Sequence, residues 1–117
     1  MTQQEAIKIA VSALDSKKAE DIRVIKVGDI TVIADYFIIA DGTSTTQLKT
    51  LADEVEYQLK ESGLEPLRVQ GTGQSNWIII DYGDIVVHVF RKDMREFYNL
   101  ERLWRDGEEV DISAYLT

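Results

Sequence analysis

The chain has 117 residues and a formal net charge of −8, from 13 Lys and Arg against 21 Asp and Glu. This length predicts one domain, and an apolar share of 44% with 29% charged residues is ordinary for a globular protein. The absence of cysteine excludes disulfides and thiol catalysis, and a single histidine excludes imidazole-rich metal sites. Because binding to nucleic acid by phosphate neutralisation needs positive charge, the acidity fits a basic protein better than nucleic acid as partner. The commoner meaning of such a charge is that it keeps a small protein soluble.

No apolar run approaches the ~18 residues that a membrane span requires, and Glu5 stands where a signal or transit peptide would carry Lys or Arg. We therefore expect a cytoplasmic protein that does not contact a membrane. Residues 106–117 contain four acidic residues and no basic one, which is half of the net charge of −8. We expect a domain at residues 1–107 and an acidic tail at residues 108–117.

The first half of the chain alternates helix and strand patterns. Thr2 and Glu5 have the spacing of a capping box, as do Ser44 and Gln47, and apolar residues recur at helical intervals after each. Runs of β-branched residues between the two helices predict strands. The predicted elements are a helix at residues 3–15, a strand at 22–27, a strand at 31–40 centred on 36–39, and a helix at 44–63.

The second half predicts three strands and a helix. Tyr82-Gly83 separates two apolar runs and is typical of a hairpin turn, and both faces of this hairpin are apolar, so helices are expected on both sides of the sheet. The predicted elements are a strand at 67–70, a polar loop at 71–76, strands at 77–81 and 84–90, and a helix at 93–105. The order predicts a single-domain α/β sandwich with a mixed sheet of about five strands flanked by helices.

One pattern raises the hypothesis of an enzyme that binds a nucleotide and a divalent metal. A Gly42-Thr43-Ser44 turn precedes Glu54 and Glu56, and nucleotidyltransferases pair a Gly-Ser turn with two acids that hold Mg²⁺ against a triphosphate. On a helix, side chains two residues apart diverge by about 200°, which prevents these acids from sharing an ion. Solvated helix acids are therefore the favoured interpretation, and the enzyme is the alternative hypothesis.

Three further features are weaker candidates for chemistry. Gly71-Thr72-Gly73 resembles a phosphate-binding loop, but a predicted strand follows it where that motif needs a helix. Asp81 and Asp84 bracket the hairpin turn, although two carboxylates alone make a weak metal site. His88 lies among apolar strand residues, which favours a hydrogen-bonded core histidine over a general base. We therefore expect neither a cofactor nor a metal ion.

The predicted last helix carries a stripe of basic residues with one tyrosine. Such a stripe can hold RNA phosphates and stack a base, so a peripheral RNA contact is one interpretation. Glu101 precedes Arg105 in the order that stabilises a helix, and long Arg stems cover apolar surface, so a solvated amphipathic face is the favoured interpretation. The stripe comprises Arg91, Arg95, Tyr98, Arg102 and Arg105.

Three blocks of sequence carry a family resemblance. They are residues 34–44 (ADYFIIADGTS), residues 77–90 (WIIIDYGDIVVHVF) and residues 95–104 (REFYNLERLW). In this order and spacing they resemble the Iojap family, the ribosomal silencing factors, over nearly the whole chain up to Gly107. Asp41 stands where the usual family pattern has threonine.

The resemblance implies a fold related to nucleotidyltransferases but without their catalytic acids, in agreement with the divergence expected for Glu54 and Glu56. It also implies a protein that is not an enzyme. Such a translation repressor binds ribosomal protein L-fourteen on the large ribosomal subunit, blocks joining of the small subunit and slows translation when nutrients are scarce. A peripheral contact with ribosomal RNA, and homodimerisation of the free protein through the hairpin surface, are further hypotheses.

Trp77 is the predicted anchor of the partner site, because an interface needs an aromatic or aliphatic anchor surrounded by polar groups. Asp81 and Asp84 are expected to face Lys or Arg of the partner. A core tryptophan is the alternative for Trp77, and the sequence supports the two equally. The predicted partner-binding residues are Trp77, Ile78, Ile80, Asp81, Tyr82 and Asp84.

Overall fold

Two α-helices and six strands make up the part of the chain that the computed structural model describes, residues 1–71, 76–94 and 106–116. The helices are α1 (Gln3–Ser16) and α2 (Thr45–Glu61). The strands are β1 (Glu20–Lys26), β2 (Tyr36–Gly42), β3 (Arg68–Gln70), β4 (Trp77–Asp81), β5 (Ile85–Arg91) and β6 (Glu108–Val110). Short 3-10 turns cover Lys92–Met94 and Ser113–Tyr115. None of the helices within these ranges combines the length and the apolarity needed to cross a membrane.

The strands form one mixed sheet in the order β3-β4-β5-β2-β1-β6. β2 and β5 run parallel at its centre, and the other neighbouring strands are antiparallel. The predicted α/β fold with a mixed sheet is therefore confirmed, with six strands instead of about five. The parallel pairing follows from α2, which connects β2 to the second half of the chain and packs across the sheet.

The strand that the sequence did not predict is β6, which pairs with Val24–Lys26 of β1. Its three residues include two exposed glutamates, so no apolar alternation reveals it. Ile112, just beyond β6, is buried in the core. The division into a domain of residues 1–107 and an acidic tail of residues 108–117 stays a prediction, although the described part of that tail adds a strand to the sheet.

Both helices begin as their capping residues predict. The Thr2 hydroxyl accepts the N–H of Glu5, and the Ser44 hydroxyl accepts the N–H of Gln47, each at 3.1 Å. Side chains three and four residues apart then form one apolar stripe on each helix, and both stripes pack on the same face of the sheet. The helix residues buried there are Ala6, Ile7, Ala10, Val11, Ala13, Leu14, Leu48, Leu51, Ala52, Val55 and Leu59.

Several strand boundaries differ from the predicted ones. β2 begins at Tyr36, because residues 27–35 form a loop in which the N–H groups of Val27 and Gly28 both donate to the carbonyl of Asp35. β1 begins at Glu20, two residues early, and the register of its pairing with β2 shifts between positions 20 and 23. β5 begins at Ile85, one residue late. The β-branched residues of this loop match the sequence pattern of a strand, although the backbone of the loop turns. This is why the start of β2 was predicted too early.

The sheet has two faces with separate cores. We call the side covered by α1 and α2 the helix face; its strand residues are Val24, Ile38, Ala40, Ile78, Ile80, Ile85, Val87 and Val89. The opposite side is the second face, where a smaller cluster forms from Ile25, Val27, Ala34, Phe37, Ile39, Trp77, Ile79, Val86 and Phe90. After Met94, the predicted last helix lies outside the described residues. The expectation of helices on both faces of the sheet therefore stays a prediction.

Candidate protein-docking site

Trp77, the predicted anchor, is the first residue of β4 and lies half-buried on the second face. Its indole N–H donates to Nδ1 of His88 at 3.1 Å. Its ring stacks on Phe90, with the ring centroids 5.0 Å apart and the planes 26° from parallel. The two alternatives for Trp77 are therefore not exclusive, since the ring packs against the core of the second face and is only partly buried.

His88 supports the indole from beneath. It is 7% exposed, and this burial lowers its pKa to about 4, against a smaller opposing effect of Asp81. The neutral imidazole accepts from Trp77 at Nδ1 and therefore carries its proton on Nε2, which has no hydrogen-bond partner among the described residues. Phe37 meets the imidazole edge-on, with the ring centroids 4.7 Å apart. His88 is thus a hydrogen-bonded core histidine, as the sequence favoured.

The predicted site residues of β4 separate between the two faces. Ile78 and Ile80 are buried in the core under the helices, at 3% and 0% exposure. Trp77 and Ile79 pack instead on the second face, where both are half-buried. Because strand residues alternate between faces, a partner that contacts Trp77 meets Ile79 and does not reach Ile78 or Ile80.

The β4–β5 turn holds the two predicted aspartates in different ways. Asp81 accepts the N–H of Gly83 at 2.8 Å and lies 3.5 Å from a guanidinium nitrogen of Arg68, so its charge is partly engaged within the protein. Gly83 has φ +89°, a conformation that favours glycine. The side chain of Asp84 is exposed, while its backbone carbonyl accepts the N–H of Asp35 at 2.8 Å. Asp84 is therefore the aspartate with the more accessible charge.

Tyr82 is partly buried on the helix face of the sheet. Its ring packs against the core of the helix face, and its hydroxyl is buried without a hydrogen-bond partner in the described residues. Burial raises the pKa of the Tyr82 hydroxyl above its ordinary value, and the nearby Glu56 carboxylate raises it further. Tyr82 lines a small cavity with Met1, Ala6 and Leu64, which gives it a structural role.

The Gly42-Thr43-Ser44 turn is explained by packing and helix capping. A Cβ on Gly42 would lie 2.8 Å from a methyl carbon of the buried Leu48, so a side chain there would force Leu48 to shift. The Gln47 side chain accepts the Thr43 N–H at 2.6 Å and donates to the backbone carbonyls of Lys17 and Lys18. The turn therefore joins α2 to the end of α1.

Glu54 and Glu56 diverge on α2, as expected. Glu54 accepts a hydrogen bond from Gln58 at 2.7 Å and lies 4.0 Å from the amine of Lys17, toward α1. Glu56 faces Tyr82, and its pKa is raised by burial and by Asp53. Within residues 1–71, 76–94 and 106–116, no three His, Cys, Asp or Glu residues gather as metal ligands.

The remaining candidates are only partly within the described residues. Gly71 has φ +93°, and a Cβ added there would lie 2.5 Å from the carbonyl oxygen of Trp77, so a glycine is needed where β3 and β4 come close together. Thr72 and Gly73 lie outside the described residues. Arg91 is the last residue of β5 and forms a bidentate pair with Asp93, so its predicted place in a helical stripe is wrong. The other members of that stripe, residues 95–105, lie outside the described residues.

Two groups of residues were missed by the sequence analysis. Ile79, Phe37 and Phe90 join Trp77 on the second face, and counting alternate residues from Trp77 would have found Ile79. Val32 and Ile33 are exposed because their segment is a loop. Their exposure was missed because this segment was predicted to be part of a strand.

Comparison with known proteins connects this arrangement to one family. The family model "Ribosomal silencing factor during starvation" matches residues 1–117. A ribosomal silencing factor of Halalkalibacterium halodurans is 42% identical over 117 residues, covering 100% of both chains. A crystal structure from Bacillus halodurans superposes with a TM-score of 0.81 at 41% identity, covering 93% of this chain and 99% of that one.

The name of a more distant relative mentions the large ribosomal subunit. The mouse protein "Mitochondrial assembly of ribosomal large subunit protein 1" is 34% identical over 115 residues, which is 92% of this chain and 50% of that protein. The resemblance inferred from the three sequence blocks is confirmed by the family match over the whole chain. This chain therefore belongs to the family of ribosomal silencing factors.

Proposed function

We propose that this protein represses translation by binding the large ribosomal subunit through ribosomal protein L-fourteen and blocking the joining of the small subunit. The observation that carries the proposal is the half-buried Trp77, fixed against His88 and Phe90, with Asp81 and Asp84 at the other end of the same hairpin. A pre-organised aromatic side chain is the usual form of an interface anchor. Family membership and the name of the mouse relative support the large subunit as partner.

Steric blocking suits a molecule of this size and charge. The domain measures 33 × 33 × 28 Å, and an object of that thickness between two subunits prevents their surfaces from meeting. Its net charge of −8 complements the basic proteins of the ribosome, which favours fast encounter and correct orientation. The protein acts without catalysis, in the cytoplasm, by occupying a surface that the small subunit needs.

The alternative, a nucleotide-binding enzyme, is weakened by the same residues that suggested it. The Gly42 turn is explained by packing against Leu48, and Glu54 and Glu56 face different neighbours. Arg91 and Lys92, the basic residues beside this turn, are paired with Asp93 and Glu20. These contacts support a protein-binding role over phosphate binding.

The decisive experiment measures subunit association with and without the protein. Saturating protein is expected to slow formation of the complete ribosome from purified subunits, and an unchanged rate would contradict the proposal. Trp77→Ala is expected to weaken binding to large subunits by about thirtyfold or more, the loss of a hot-spot aromatic residue. Unchanged affinity of that variant would remove Trp77 from the site.

Two further variants separate binding from folding. Tyr57→Ala removes an aromatic ring that is 57% exposed on α2, and it should leave the affinity unchanged. Asp84→Lys reverses an exposed charge without touching either core, and it should weaken binding mainly at low salt. Circular dichroism of each variant gives the folded fraction to which affinities are normalised.

The hypotheses of self-association and of an RNA contact can be tested in the same assay. If the free protein dimerises through the second face, dilution should raise its affinity for large subunits, because dimer and complex compete for Trp77. An affinity that is independent of concentration argues against that overlap. A peripheral RNA contact through Arg95, Arg102 and Arg105 should appear as protection of ribosomal RNA that is lost when these residues are replaced by Ala.

A further inference from the structure

The loop between β1 and β2 exposes a group of large aliphatic side chains. Val32 is the most exposed large apolar residue in the described parts of the chain, Ile33 is three-quarters exposed, and Ile30 is 42% exposed. We call these three residues the loop tip. Single exposed apolar residues are common, but three within four positions on a small domain indicate a contact surface.

The backbone holds the loop tip outward. The N–H groups of Ile30 and Thr31 both donate to the carbonyl of Val27 at 3.0 Å, and the Thr31 hydroxyl accepts the N–H of Ile33 at 3.2 Å. Val27 and Ala34, at the two ends of the loop, are buried in the core of the second face. The ends are thus fixed, and the aliphatic side chains between them project into solvent with little conformational freedom to lose on binding.

The loop is continuous with the proposed docking site. The N–H of Asp35 donates to the carbonyl of Asp84 at 2.8 Å, which ties the base of the loop to the β4–β5 turn. From Trp77 to Asp81 the strand advances by about 13 Å, and the three residues from Asp35 to Val32 add at most about 10 Å, whereas a standard interface of about 800 Å² per partner is about 30 Å wide. One partner surface is wide enough to cover Trp77 and the loop tip together.

The charges around the loop tip specify the chemistry of the partner. Asp29, Asp35 and Asp84 are exposed around the aliphatic residues, and residues 27–35 contain no Lys or Arg. A phosphate backbone would be repelled by these carboxylates. A basic protein surface would be attracted to them, and an apolar depression on it would accept Val32 and Ile33.

We propose that the loop tip is a second apolar anchor, inserted into an apolar depression on a basic protein of the large ribosomal subunit. The inference rests on the proposed function and extends the docking site from the second face to the β1–β2 loop. Trp77 and the loop tip then bind at opposite ends of one surface, with the carboxylates of Asp81 and Asp84 between them.

The first test measures affinity for purified large subunits at two salt concentrations. The double variant Val32→Ser with Ile33→Ser is expected to bind about ten- to a hundredfold more weakly, and by the same factor at low and high salt, because the contact is apolar. Tyr57→Ser, which removes a comparably exposed ring from α2, should bind as the unmodified protein does. An affinity of the double variant within twofold of the unmodified protein overturns the inference.

The second test identifies what the loop tip touches. A photo-crosslinking residue, p-benzoylphenylalanine, is introduced in place of Val32, and the complex with large subunits is irradiated. The expected product is an adduct with a basic ribosomal protein. An adduct with ribosomal RNA, or with a second copy of this chain, overturns the assignment of the partner.

These tests separate the inference from the function on which it rests. If Trp77→Ala weakens binding and the double variant does not, the inference fails and the proposed function stands. If the unmodified protein does not bind large subunits at all, both fail. If both variants bind weakly and the crosslink reaches a basic ribosomal protein, the docking surface includes the loop tip.

Discussion

On the helix face, β4 and β5 contribute Ile78, Ile80 and Val87 to an aliphatic core that α1 and α2 cover. On the second face, the same strands carry rings, and Trp77 retains exposed surface beside the buried His88. One strand therefore places every second residue in the core under the helices and the residues between them on the proposed docking surface. The comparison predicts that neighbouring positions of β4 will have mutational effects of different kinds.

The largest expected effect compares two adjacent isoleucines. Ile80→Ala should lower the free energy of unfolding by about 2–5 kcal/mol, because it opens a cavity in a core that is fully closed to solvent. Ile79→Ala should cost about 1 kcal/mol, since this side chain is half-buried and part of its area already contacts water. Urea denaturation followed by circular dichroism gives both values.

For binding, the order of the two effects should reverse, with Ile79→Ala having a larger effect than Ile80→Ala. Per folded molecule, Ile80→Ala should bind large subunits normally, while Ile79→Ala should bind more weakly because it adjoins Trp77 on the second face. A loss of affinity in folded Ile80→Ala that exceeds the loss in Ile79→Ala would show that the two faces do not divide these roles.

His88 makes the second face sensitive to acid. An unfolded histidine titrates near 6.5, whereas burial lowers the pKa of His88 to about 4 in the folded protein. Because the unfolded state takes up the proton first, stability is full above pH 6.5, declines as the pH falls and levels off below about 4. At about 1.4 kcal/mol per pKa unit, this contribution amounts to about 3 kcal/mol. Protonation also occupies Nδ1, which ends its role as acceptor for Trp77.

The chain contains one histidine, so the measurement is free of overlap. The imidazole signals in an NMR titration should stay those of the neutral ring, protonated at Nε2, down to about pH 5. For His88→Gln, the free energy of unfolding measured with urea should depend less steeply on pH between pH 4 and 6.5. The difference from the unmodified protein isolates the contribution of His88 from that of the carboxylates. An imidazole that titrates near 6.5 in the folded protein would contradict its burial and its bond to Trp77.

Local patterns were sufficient for much of the fold. The capping boxes at Thr2 and Ser44 and the apolar stripe of α2 depend on neighbours within a few residues, and both helices form where those patterns predict them. The family was also recognisable from three sequence blocks. β6 was missed because its pairing with β1 is a tertiary contact that its Glu-rich sequence does not encode locally.

The site was harder to predict than the fold. Trp77 was singled out by residue type and position, but the bond to His88 depends on the antiparallel register of β4 and β5, in which Trp77 lies opposite Phe90 and Ile79 opposite His88. Ile78 and Ile80 were grouped with Trp77 because both faces of the hairpin are apolar, and only the packing of α1 and α2 identifies the face that they cover. The exposure of Val32 and Ile33 depends on hydrogen bonds that turn a β-branched segment into a loop.

The smallest expected effect concerns Glu54 and Glu56, which lie on the helix layer away from the proposed surface. Glu54→Gln and Glu56→Gln should each change the free energy of unfolding by no more than about 0.5 kcal/mol. The raised pKa of Glu56 means that folding disfavours its charged form. Glu56→Gln should therefore slightly raise the free energy of unfolding at neutral pH. Both variants should inhibit subunit association fully, and calorimetry of the unmodified protein with Mg²⁺ and nucleoside triphosphates should give no heat of binding. Binding heat that either substitution abolishes would contradict this expectation. It would show that Glu54 and Glu56 share an ion despite their divergence, and it would place the functional site on α2 instead of the second face.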